Sequence, residues 1–208
     1  MRIIKVKAFE YDELSDETKE KVVEDQRYIN VRFNDWYETV VDSWKESLEE
    51  FGFFDPKVYF SGFYSQGDGA CFDCESVYID KIFDAVHSEL ENFSKEFQEQ
   101  FKNDKDAIYE FMENHVWFVI ESFSSRYCHE NTRKITWNCH GVPEELEHLE
   151  KFINEIGEWL EEKRKTFCQE IYRHLESVYE HLTSDEAVAS TLNCNEYEFL
   201  ENGRLIDF

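Results

Sequence analysis

The densest set of polar groups in the sequence is the run Ser65, Gln66, Gly67, Asp68, Gly69, which gathers a hydroxyl, an amide and a carboxylate around two glycines. Two readings fit it. Gly67 and Gly69 can take the positive φ of a tight turn while Gln66 and Asp68 hydrogen-bond the turn backbone. The same groups can instead clasp a small polar ligand or a nucleotide, and on that reading all five are candidate ligand-binding residues. The run lacks the lysine and following hydroxyl residue of a phosphate-binding P-loop, and it does not match a dinucleotide-binding fingerprint.

Just downstream, Cys71 and Cys74 have the spacing of zinc ligands. The pairs Cys128-His129 and Cys139-His140 would complete a tetrahedral site if the strands bearing them lay beside the first pair. Neither later pair is itself a CxxC, so all six cysteines, Cys168 and Cys194 included, are expected to be free thiols, with no metal or cofactor held. No nucleophile elbow and no HExxH helix occurs. With 47 Asp and Glu in the chain, chance pairs of acids are inevitable and do not point to hydrolysis. No catalytic residue is assigned, and a non-enzymatic role is expected.

The elements that must position these groups follow from periodicity. Residues 57–64 read as a strand, 65–69 as the connecting loop, and 70–72 as the start of a return strand. Residues 2–9 read as a first strand, and Ser15 caps a helix to about residue 28, with Asp16 and Glu17 in its first turn. Asp35, with Glu38 three residues on, marks a second helix ending at Gly52. Apolar positions from Ile79 to Phe101 predict one long helix, followed by a short one over 106–113. Two β-rich runs, 116–120 and 134–137, predict paired strands. After Pro143, placed as the first helical residue, apolar spacing to Leu182 predicts one long helix or two, with a weak point at 161–166. A short helix from Ser184 and a hairpin around Asn202-Gly203 close the chain. The fold class is α+β, an antiparallel sheet with several packed helices, in a single domain over residues 1–208.

Composition narrows the function classes. The formal net charge is −25 and aromatics make up 17% of 208 residues, so the chain has ample apolar area for a core despite its charge. Such a field repels phosphate backbones and anionic lipid surfaces and attracts basic proteins, so direct nucleic-acid binding is not expected. The N-terminal residues show no signal-peptide pattern, and no apolar run is long enough to span a membrane, so a cytoplasmic protein is expected. Acids cluster at Glu46, Glu49 and Glu50, and again at Glu144, Glu145, Glu147 and Glu150. Acids three or four residues apart on a helix stand about 5–6 Å from one another, broadly comparable to phosphate spacing, so a DNA mimic is physically plausible. A solvated face that keeps the protein soluble is the simpler reading.

Four segments carry a resemblance: YDELSDE at 11–17, Asp35-Trp36, VYFSGFYSQGDGACF at 58–72, and NEYEF at 195–199 with Asn202-Gly203. Through them the chain resembles a family of small phage and prophage proteins, some labelled as the antitoxin of a toxin–antitoxin stability system. The resemblance implies a phage or prophage origin and places no catalytic or ligand residue. The expected function is an accessory protein that binds and inhibits a host protein of basic surface. The alternative is a module that binds or sequesters a small polar ligand or nucleotide at the loop 65–69.

Overall fold

The structure, a computed structural model, describes residues 6–123 and 127–206, and these carry six α-helices and eight short strands. In chain order they are β1 (Phe9–Glu10), α1 (Asp16–Asp25), α2 (Asp35–Phe51), β2 (Phe53–Phe54), β3 (Lys57–Phe60), β4 (Ala70–Asp73) and β5 (Ser76–Val77). There follow α3 (Ile79–Ser88), α4 (Lys95–His115), β6 (Val116–Ser122), β7 (Arg133–Cys139), α5 (Glu150–Leu182), α6 (Asp185–Cys194) and β8 (Glu198–Phe199). The fold is α+β and all strand pairing is antiparallel, but in place of one sheet there are four two-stranded ladders: β1–β8, β2–β5, β3–β4 and β6–β7. Local geometry limits one of these strands. Positive φ at Gly52 and Asp55, on either side of β2, bends the chain too sharply for a longer strand. Contacts divide the chain into two compact units, Met1–Val40 with Leu175–Phe208, and Val41–His174.

In the first unit Ser15 caps α1, its hydroxyl accepting from the Thr18 N–H at 3.3 Å, as its sequence context indicates. The helix ends at Asp25, earlier than expected. Val22 and Val23 pack with Tyr11, Leu14, Val188, Leu192 and Phe199 into a buried cluster. The turn at Asn202-Gly203 forms, with Gly203 at φ +83°. Phe199 bridges Leu205 within the hairpin and pairs with Phe9 of β1 on its other side. Of the expected first strand, residues 6–8 are not strand and Phe9 is, with Glu10, while positions 2–5 lie outside the described residues.

In the second unit the core is aromatic. Phe53, Phe72, Phe97, Phe101, Phe111 and Phe152 are fully buried with Leu48, Ile82 and Ile108. The single helix expected from Ile79 to Phe101 is two helices, because Ser94 starts a new one. Its hydroxyl accepts from the Phe97 N–H, while its own N–H and O–H donate to the Glu155 carboxylate. The short helix expected at 106–113 is continuous with α4 across a kink at Asp104. β6 and β7 pair over seven residues, from Val116 opposite Cys139 to Ser122 opposite Arg133. Pro143 caps a 3-10 turn over Glu144–Leu149 rather than opening a helix, and α5 then runs unbroken for 33 residues.

Candidate functional site

The loop 65–69 sits at the tip of the β3–β4 hairpin, whose register pairs Phe60 with Ala70. Asp68 organises it. Its Oδ2 accepts the backbone N–H groups of Tyr64 and Ser65 at 3.1 and 2.7 Å, and its own N–H donates to the Ser65 carbonyl. The Ser61 N–H donates to the Gly69 carbonyl, and the Ser61 hydroxyl accepts from the Gly69 N–H, which closes the loop's base. Gly67 has φ +94°, with the Tyr127 ring against it. Gly69 is buried, and a Cβ there would lie 2.6 Å from the His129 Cβ and 2.8 Å from the Cys128 carbonyl oxygen. Both glycines are therefore required by geometry, one by conformation and one by close approach. Ser65 and Gln66 are exposed at the tip.

Beside the loop lies a cavity of about 260 Å³ bordered by Asp68, Gly69, Glu130, Gln169, Tyr172 and Arg173, with Cys168 at its wall. Tyr172 donates to the Gly62 carbonyl, tying α5 to the loop. The structure thus brings Asp68 and Gly69 to the cavity, whose remaining polar groups come from α5 and from the 3-10 turn before β7. Sequence spacing carries no signal that these distant segments meet.

Two of the cavity residues are held by a buried arginine. Arg164 is 0% exposed. Its Nε and Nη2 bind both oxygens of Glu161 at 2.8 Å, Nη2 also donates to the Glu130 carbonyl at 2.7 Å, and Nη1 reaches the Cys168 sulfur at 3.5 Å. Glu161 in turn accepts the Ile135 N–H at 2.8 Å, so the pair fastens β7 to α5. Burial opposes the Glu161 charge, but the hydrogen bonds from Arg164 and Ile135 outweigh it and hold the carboxyl below its ordinary range. The stretch expected to be a weak point of the helix is instead a pinned one. A signal existed in the sequence: Glu161 and Arg164 stand three apart, so their side chains meet on one helix face.

Cys71 lies beside Cys128 and near Cys168, but the two Cys-His pairs do not converge. Cys139-His140 lies at one end of the β6–β7 ladder and Cys128-His129 precedes its other end. Six residue steps separate those ends, about 20 Å at ~3.4 Å per residue. The His129 Nδ1 accepts from the Asn131 N–H, and the His140 ring packs at a tilt against Trp117. Among the described residues no group of three or more His, Cys, Asp or Glu is arranged to hold a metal ion. Burial pushes the Cys71 thiol up, and pushes Cys74 and Cys168 up to about 12, so these three are protonated at neutral pH and are poor nucleophiles.

The acids singled out in the sequence, Glu46, Glu49, Glu50, Glu144, Glu145, Glu147 and Glu150, are all exposed. Several cations, by contrast, are drawn inward. Besides Arg164, the Arg133 side chain is 10% exposed and paired with Asp73 at 2.5 Å, and Lys163 is paired with Glu89.

The architecture is that of an α+β protein with antiparallel hairpins, a small polar cavity at one hairpin tip and an acid-rich exterior. Residues 36–185 match the model of a family described as a domain of unknown function, DUF8835, and the chain belongs to that family. No curated protein and no solved structure matches the chain. Among the described residues no helix is long and apolar enough to cross a membrane.

Proposed function

We propose that this protein is a binding protein that recognises and inhibits a protein of basic surface, in the manner of a phage or prophage accessory protein acting in the cytoplasm of its host. One observation carries this reading: charge is segregated, with Arg164 and Arg133 turned inward into ion pairs while the acidic clusters stay in solvent. Each inward cation cancels against an inward acid, so the whole −25 charge remains on the exterior. Such a field accelerates encounter with basic partners and repels nucleic acid. Affinity capture from a bacterial lysate at low and high salt, followed by identification, tests it. A retained protein with a basic binding face, released by salt, is expected. Retention of only neutral or acidic proteins, unaffected by salt, would overturn the reading.

A second reading rests on the cavity beside Asp68 and Gly69. Its mixture of carboxylates, an amide, a phenol and the Arg173 guanidinium suits a small polar ligand. A screen of nucleotides and polar metabolites for thermal stabilisation tests it, since a ligand stabilises the state that binds it. No shift with any compound removes this reading.

A further inference from the structure

We propose that a groove in the first unit receives an arginine side chain of the basic partner, an inference that rests on the charge reading above and names the chemistry it would use. The groove has a volume of about 490 Å³, and all the residues that line it belong to that unit. Ile29, Phe33, Trp36, Val178 and Leu182 line it together with Asp35.

Three features fit a guanidinium. The first is aromatic surface: Phe33 is 70% exposed, far more than a ring in a packed core, and Trp36 lines the same groove. A planar cation stacks on such faces through the ring quadrupole. The second is charge. Among the described residues lining the groove, Asp35 is the sole ionisable group, so the lining itself carries a negative charge. Asp35 and Glu38 lie in the first turn of α2 and offset the positive end of its dipole, which would otherwise repel an incoming cation. The third is rigidity. Trp36 packs against Tyr37 and Tyr179 with ring centroids 5.4 and 5.7 Å apart. The Asn30 amide donates to the Leu182 carbonyl at 2.9 Å and accepts from the Thr191 hydroxyl at 2.7 Å, fixing the floor before any partner arrives. A preformed groove loses little freedom on binding.

Arginine is favoured over lysine because its flat, weakly hydrated fork can lie on a ring and meet a carboxylate with two parallel hydrogen bonds, whereas an ammonium is a strongly hydrated point charge. The experiment compares octa-arginine and octa-lysine peptides, equal in charge, by titration calorimetry against the full chain, its Phe33→Ala and Asp35→Asn variants, and Glu147→Gln as a control away from the groove. Wild type and the control are expected to bind octa-arginine roughly fivefold more tightly than octa-lysine, the scale of one partly desolvated cation–π contact. Phe33→Ala is expected to abolish that preference while leaving the melting temperature unchanged, because the ring is largely in solvent. Asp35→Asn is expected to weaken octa-arginine more than octa-lysine. An arginine preference that survives Phe33→Ala overturns the inference. So does equal, salt-sensitive binding of both peptides by wild type, which leaves the charge reading intact, whereas binding of neither peptide overturns that reading as well.

Discussion

Replacing Arg164 by Met would leave the Glu161 carboxylate buried, with the Ile135 N–H still donating to it and both guanidinium bonds gone. Glu161 is 7% exposed, so water only partly replaces the lost partner. Breaking a buried pair in this way costs about 3–5 kcal/mol, since only the half-buried Lys165, 3.9 Å from Oε1, then faces the charge. The loss is also expected to depend on pH, and the direction is diagnostic. In the wild type Glu161 titrates below its ordinary range, so its contribution is complete above the unfolded value of about 4.3 and is lost only as pH falls through the lower folded value. In Arg164→Met burial dominates and the folded pKa rises above the unfolded one. The variant's deficit is then largest at pH 7 and shrinks as pH falls toward 5, because the protonated acid is tolerated where the anion is not. Urea denaturation of both proteins at pH 7, 6 and 5 measures it. Adding Glu161→Gln to Arg164→Met removes the orphaned charge, keeps an acceptor for the Ile135 N–H, and is expected to recover most of the loss. A deficit below about 1 kcal/mol, or one that does not change between pH 7 and 5, would refute the assignment of this pair as a buried, mutually dependent ion pair.

Other substitutions address the hairpin tip and the thiols. Gly69→Ala is expected to destabilise by about 1–3 kcal/mol, since its Cβ meets backbone as well as side chain at Cys128 and His129, and thermal melts should show a larger loss than for a neutral surface change. Asp68→Ala removes the acceptor of two backbone N–H bonds and should cost about 1–2 kcal/mol; an unchanged melting temperature would favour ligand binding over turn formation as its role. Cys194 is exposed, while Cys71 and Cys168 are buried with raised pKa values, so a maleimide is expected to modify Cys194 first and the other two only after unfolding. Protein purified without added zinc should contain no stoichiometric metal, and one equivalent lost on replacing Cys71 and Cys74 would contradict the finding that the described residues hold no group arranged for a metal ion.

Much of the fold is legible in local signals. Ser15 and Ser184 mark helix starts by the hydroxyl each offers to an orphan N–H, Gly52 ends α2, and the β-rich runs of β6 and β7 pair as their composition implies. What local signals miss is competition between them. Ser94 lies inside an apolar periodicity that reads as one helix, yet its cap and its bonds to Glu155 break that helix in two. Glu161 and Arg164 read as a charged interruption because hydropathy cannot register that two opposite charges neutralise each other three residues apart. The loop 65–69 was recognisable as a turn, but the cavity beside it is assembled from segments about 60 and 100 residues further along the chain. No spacing rule connects those segments. The groove of the first unit is the same case, joining Phe33 and Trp36 to Val178 and Leu182.

The central claim, recognition of a basic partner through an outward acidic field, is tested most directly by the association rate constant with a captured partner, measured by stopped flow across ionic strength. The comparison is between wild type and a variant in which Glu46, Glu49, Glu50, Glu144, Glu145 and Glu147 are changed to Gln. Screening shortens the field to about 8 Å at physiological salt, so the wild-type rate should fall steeply as salt rises, and the variant should associate more slowly at low salt with a flatter dependence. A rate indifferent to salt and equal in the two proteins would contradict the account.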